Sequence, residues 1–228
     1  MNTKFALGAV AAALVLAGGL FFGLQPGSQQ TQFPPLGAVG AQTSDTNPET
    51  SAMPEPFEIV MGNPDAPVTL IEYASYTCPH CATFHANVLK PLTAEYIDTG
   101  KIKFIYREVF FDRYGLWAAM IARCGGEERY PGISALLYET QAEWAGAGDA
   151  PQVIEGLRRV GLRAGFTGEE LDTCLQNGEL AQAMVAKFQR DAEEHDINST
   201  PSLVINGKKH GNMSYESLKK LLDEALAQ

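Results

Sequence analysis

The stretch YASYTCPHCATFH, residues 73–85, holds two cysteines two residues apart with a proline and a histidine between them. Its flanks give that spacing a setting. The run before it, VTLIEYA (68–74), is apolar, β-branched and of strand length. The residues after it open a helix that extends to near Asp98. Cys78 therefore stands at a helix start, where unpaired amides and the positive end of the helix dipole favour a thiolate. Cys81 follows one turn later, close enough to close a small disulfide ring. Pro79 suits the first helical turn, where a missing amide hydrogen costs little, and His80 brings a donor or a positive charge beside the sulfur. Thiolates at such helix starts titrate at roughly 3.5–7.5. A low value makes the first sulfur a good leaving group and stabilises the reduced pair, so that the disulfide acts as an oxidant.

Two other uses of such a pair compete with this one. Zinc takes four ligands, usually from two close pairs, and the remaining cysteines, Cys124 and Cys174, are isolated in sequence. No metal or other cofactor is expected. An inert structural disulfide has no need of a strand-to-helix junction. The expectation is a redox couple.

Working outward, FEIVM (57–61) reads as a short strand and NPDAP as a turn. Pro91 is expected to kink or divide the helix after the cysteines, having no amide hydrogen for the preceding turn. KIKFIYREVFF (101–111) is another strand. Two strands flanking a helix make a βαβ unit, so these two are expected to be parallel and buried. Residues 115–196 read as successive helices with turns at GGEERYPG, GAGDAP, GLRAGFTG and QNGE. Thr167 and Glu170 form a capping-box pattern. STPSLVING (199–207) returns to strand character, and Asn206-Gly207 signals a hairpin into a strand near 208–211. Ser214 is the expected N-cap of a last helix, YESLKKLLDEALAQ. The class is α/β, in the order β-β-α-β, helical insertion, β-β-α.

The 228-residue chain carries a formal net charge of −10 and a pI near 4.9, which argues against a nucleic-acid partner. Phe5–Leu24 is twenty residues without a charge, long enough as a helix for the roughly 30 Å core of a bilayer. No Ala-x-Ala follows directly, so residues 1–24 are expected to be an uncleaved anchor in preference to a cleaved signal. Either places the rest outside the cytoplasm, on the periplasmic side of a bacterial inner membrane. Residues 25–56, rich in Gln, Pro, Gly, Ser and Thr, read as a flexible linker. The folded domain is expected over 57–228.

LIEYASYTCPHCATF and TPSLVINGK resemble the DsbA-like branch of the thioredoxin superfamily, a family of thiol:disulfide oxidoreductases. The resemblance covers about Phe57–Gln228 and is most specific at its two ends. It implies a thioredoxin fold with an inserted all-helical subdomain at about 115–196. By position, Cys78 resembles the attacking cysteine and Cys81 the buried resolving one. Thr200-Pro201 resembles the cis peptide that faces the disulfide and leaves backbone free to pair with an extended substrate. Glu72 matches a buried acid that accepts the proton of the resolving thiol; on its residue type alone it would equally be an edge-strand surface charge. The resemblance also implies a structural disulfide between Cys124 and Cys174, with two free buried thiols as the alternative. It implies donation of the Cys78–Cys81 disulfide to reduced exported proteins, and an integral-membrane partner that reoxidises the pair. Thr, where the best-known members have Val, precedes the cis-proline; envelope isomerases and reductases share this choice, so a reductase or isomerase is the competing activity. No second folded region offers a dimerisation module, and a monomer is expected. From another class altogether, the chain would be a non-catalytic binder of extended peptides. His85, His195 and His210 show no telling partner in sequence and read as solvated surface. Trp117 and Trp144 read as core.

Overall fold

The computed structural model describes residues 55–228. The expected anchor and nearly all of the expected linker lie outside the described residues. The linker's last two residues do not behave as a tether: Pro56 is buried, and Glu55 pairs with Arg190 at 2.6 Å. Among the described residues no helix is long and apolar enough to cross a membrane.

Five strands form one mixed sheet: β1 (Ile59–Gly62), β2 (Val68–Ala74), β3 (Ile102–Glu108), β4 (Ser202–Ile205) and β5 (Lys208–His210). Their spatial order is β1-β3-β2-β4-β5. The β2–β3 pair is parallel, with Glu72 opposite Tyr106, and the other pairings are antiparallel. The βαβ expectation thus holds, and β2 is the central strand. Asn206 and Gly207 both take positive φ, 44° and 81°, which is why this dipeptide turns the β4–β5 hairpin.

Strand periodicity decides what the site sees. Val68, Leu70 and Ala74 of β2 face one large core, with Phe104 and Tyr106 of β3; Ile71 and Tyr73 face a second, smaller core with Ile105 and Val204. Glu72, in phase with Leu70 and Ala74, points into the large core.

The helix after Cys78 begins as α1 (Pro79–Phe84), widens to π geometry over His85–Leu89, tightens at α2 (Lys90–Leu92) and widens again over Thr93–Ile97. Pro91 alters the winding without breaking the helical path: Lys90 and Thr93 keep right-handed helical torsions. A wider turn gives the ring room and removes the need for its missing donor.

The helical stretch comprises α3 (Arg113–Cys124), α4 (Gly126–Glu139), α5 (Gln141–Trp144), α6 (Ala150–Arg163), α7 (Gly168–Leu175) and α8 (Gly178–Glu194). α9 (Tyr215–Leu226) closes the chain with Ser214 as its N-cap. The capping box at Thr167 and Glu170 forms as read. The turn expected over GGEERYPG is shorter than read: only Gly125-Gly126 turns, Gly126 at φ +67°, and α4 runs through Pro131. Pro131, in the second turn of α4, removes one intrahelical hydrogen bond. Trp144 is fully buried and Trp117 partly so. α8 supplies Phe188 and Ala192 to the second core.

Candidate active site

Cys78 is the N-cap of α1, with φ −81° and ψ 117°, and the residue is partly exposed. Its carbonyl accepts from the amides of Cys81 at 3.1 Å and Ala82 at 3.2 Å. Cys81, one turn on, is fully buried. Both stand as free thiols. The two side chains act on each other's titration in opposite senses. The Cys81 thiol donates to Cys78 and holds the Cys78 pKa down at about 5, against an ordinary 9.0. Burial of Cys78 opposes this, while Thr200 and the amides of Cys81 and His80 reinforce it. Cys81 is pushed far up, first by that same bond, then by burial and by the charge of Glu72. His80 itself is exposed; its support for the thiolate comes through its amide.

The Thr200–Pro201 peptide is cis. It brings the Thr200 carbonyl oxygen to 3.3 Å from Cys78 Sγ, which donates to it when protonated. Pro201 is buried and Thr200 partly exposed at the sheet's end. The sequence stretches 72–85 and 200–201, more than a hundred residues apart, are thus one site.

Glu72 lies beneath this pair with no exposed surface, in the central strand and not at an edge. Its Oε2 is 3.1 Å from Nε2 of His85, and its Oε1 has no partner among the described residues. The surface expectation for His85 is therefore wrong. His85 stands four residues beyond Cys81 on the same inward face of the helix, its side chain only 10% exposed. Its ring lies 4.0 Å from that of Tyr138 and edge-on to Tyr106 at 5.8 Å. His195 is also misread: its side chain is 12% exposed, and Nδ1 lies 2.8 Å from the Tyr73 hydroxyl. That hydroxyl receives Arg107 at 2.7 Å and is pushed up to about 12 by burial. His210, on the edge strand β5, is partly exposed.

The helical stretch reaches into the site through residues the sequence reading did not name. Gln141, buried at the start of α5, donates from Nε2 to the Tyr76 carbonyl at 2.6 Å and to the Cys78 carbonyl at 3.0 Å. The Tyr76 hydroxyl meets that of Tyr130 at 2.7 Å, and Tyr130 donates to Glu108 at 2.9 Å. Arg123 closes this buried chain on Glu108 at 2.7 Å. Burial raises the Glu108 pKa, and Arg123 draws it back. Cys124 at the end of α3 and Cys174 in α7 have Cα atoms 6.1 Å apart, a separation a disulfide spans, with their sulfurs in contact.

A family profile described as thioredoxin matches residues 55–224. The chain belongs to the thioredoxin family. Within it, the sequence is 30% identical over 194 residues to a Rickettsia conorii protein with a provisional protein-disulfide oxidoreductase name, covering 82% of this chain and 69% of that one. It is 26% identical to disulfide bond formation protein D of Bacillus subtilis, over 73% of this chain and 76% of that one. Among solved structures, Wolbachia pipientis α-DsbA1 superposes with a TM-score of 0.68 at 26% identity, covering 77% of this chain and 94% of the other. These relatives place it in the DsbA-like branch of thiol:disulfide oxidoreductases, and the thioredoxin fold with helices inserted between its halves is as expected.

Proposed function

We propose that this thioredoxin-family protein is an oxidase that donates a Cys78–Cys81 disulfide to reduced proteins outside the cytoplasm. The observation that carries the proposal is the split between the sulfurs: Cys78 partly exposed and held near 5, Cys81 buried and held protonated. A client thiolate attacks Cys78 Sγ, forming a client–Cys78 bond, breaking Cys78–Cys81 and leaving Cys81 to take up a proton. A second client thiolate then attacks the client sulfur and expels Cys78 as a thiolate. Two electrons have entered the pair and the client has gained a disulfide. Because the Cys78 thiolate is stable, expelling it is easy, which drives electrons inward.

The backbone at Thr200, beside the sulfur, supports docking of an extended client segment by strand addition. An integral-membrane redox partner would reoxidise the pair, and the apolar segment at Phe5–Leu24 supports a position at the outer face of the inner membrane. Cys124–Cys174 is proposed as a structural disulfide tying α3 to α7, worth roughly 4 kcal/mol by loop entropy.

The test is the redox state of the pair in growing cells, trapped by acid and alkylation. A mostly oxidised pair supports the oxidase; a mostly reduced one would show a reductase or isomerase. Replacing Cys78 by Ser must abolish oxidation of a dithiol peptide. Unchanged activity would show that Cys78 does not carry the catalysis and would end this account.

A further inference from the structure

Closing the disulfide during reoxidation requires Cys81 to lose a proton, yet neither Cys81 nor Glu72 has any exposed surface. The proton needs an exit. Glu72 offers Oε1, which no group among the described residues occupies, while Oε2 is tied to Nε2 of His85 at 3.1 Å. His85 in turn lines an apolar groove of about 590 Å³ with Ala82, Ala86, Leu89 and Tyr138. It is thus the side chain that touches both the buried carboxyl and an opening. Packing against Tyr138 and Tyr106 fixes its ring.

We propose that His85 is a positioning residue that relays protons between Glu72 and the groove beside α1, so that buried Cys81 can exchange its proton with solvent. The inference rests on the oxidase mechanism above and adds to it the route the proton takes. In the closing direction, Cys81 gives its proton to the Glu72 carboxylate at Oε1, the resulting carboxylic acid rotates and passes that proton to Nε2 of His85, and the imidazolium releases one from Nδ1 to the groove, leaving Glu72 a carboxylate again. The net change is one proton lost by the thiol. The Cys81 thiolate then attacks Cys78 Sγ in the mixed disulfide, forming Cys78–Cys81 and expelling the partner's thiolate with its electron pair. Protonation of Cys81 during client oxidation runs the relay backwards.

The surroundings leave few competitors. Tyr106 of β3 and Tyr138 of α4 bond each other through their hydroxyls at 2.7 Å, and burial raises both far above the ordinary tyrosine range. Glu108 of β3 is engaged by Arg123 and Tyr130, and Tyr76 by Tyr130. Lys90 and Glu139 stand at the groove lining.

The test uses the reduced full-length protein mixed with glutathione disulfide, quenched in acid and followed by mass. Attack of Cys78 gives the glutathione mixed disulfide; closure by Cys81 removes it. General acid–base catalysis contributes 10²–10⁴-fold, so His85→Gln, which keeps a hydrogen-bond partner for Glu72 but relays nothing, should slow closure at least about tenfold. The mixed disulfide should accumulate, with its formation changed less than about twofold. His85→Ala opens space beside the groove, and added imidazole should accelerate its closure with saturation. Closure in His85→Gln within about twofold of the parent, or a slow His85→Ala that imidazole does not accelerate, overturns the relay. If His85→Ala does not fold, the solvent isotope effect on closure in His85→Gln decides: larger than the parent's supports the relay, equal overturns it. Formation and closure are timed separately, so a Cys78 that attacks slowly and titrates as an ordinary thiol would sink the oxidase reading without being mistaken for failure of the relay.

Discussion

Gln141 offers a sharp test of how the helical stretch holds the reactive loop. Its Nε2 bonds two carbonyls, but they are not equally dependent on it. The Cys78 carbonyl keeps the amides of Cys81 and Ala82, whereas the Tyr76 carbonyl has no other donor among the described residues. Replacing Gln141 by Leu preserves volume and leaves one buried carbonyl unpaired, at a cost of about 1–3 kcal/mol. Weakening at Cys78 adds little, so a loss of about 2 kcal/mol is expected. For a domain of this size that corresponds to a melting point lower by about 4–8 °C. Urea unfolding gives the free energy, and hydrogen exchange gives its location. The amide of Cys78, bonded to the Ser75 carbonyl at 3.1 Å, should lose protection ahead of the sheet. A loss below about 0.5 kcal/mol with unchanged protection at Cys78 would mean that Gln141 does not anchor this loop.

Two further outcomes follow from the buried charges and the sulfur. Arg123→Leu strands Glu108 in the core and should cost about 3–5 kcal/mol, most of it recovered when Glu108 is also replaced by Leu; thermal melts of the single and double variants check this. Stability of the reduced form relative to the oxidised form should depend on pH through Cys78. Its folded pKa is depressed, so the contribution is full above the ordinary thiol value of 9.0 and is lost as pH falls through about 5. Unfolding of both redox forms between those limits should therefore show the reduced form gaining on the oxidised one as pH rises; above them the raised Cys81 begins to oppose it.

What the sequence disclosed was what short-range chemistry determines. The strand before Cys78, its place at a helix start, the caps at Thr167 and Ser214 and the Asn206-Gly207 turn all depend on neighbouring residues, and all were legible. Glu72 was legible through the family resemblance; on residue type alone a surface position was equally consistent. The pairing of Glu72 with His85 was not read, because it depends on how α1 lies across β2. A signal existed: His85 follows Cys81 by four residues, one turn along the same helix face, so a buried Cys81 implied an inward His85. Gln141 carried no such signal, since its partners lie 65 and 63 residues away and only packing of the helical stretch on the loop joins them. The continuation of α4 through Pro131 was hidden for a different reason. Local breaker residues were read as a turn, and burial of Tyr130, Ile133 and Leu137 against the core outweighed the one lost bond.

The account turns on Cys78 being ionised where ordinary cysteines are not. The most direct measurement is a thiolate-absorbance titration of the reduced protein, with a Cys78→Ser control to assign the signal and an equilibrium with glutathione alongside. A midpoint near 5, with the pair readily reduced by glutathione, is the predicted result. A midpoint near the ordinary 9.0, with a disulfide that glutathione does not reduce, would contradict it.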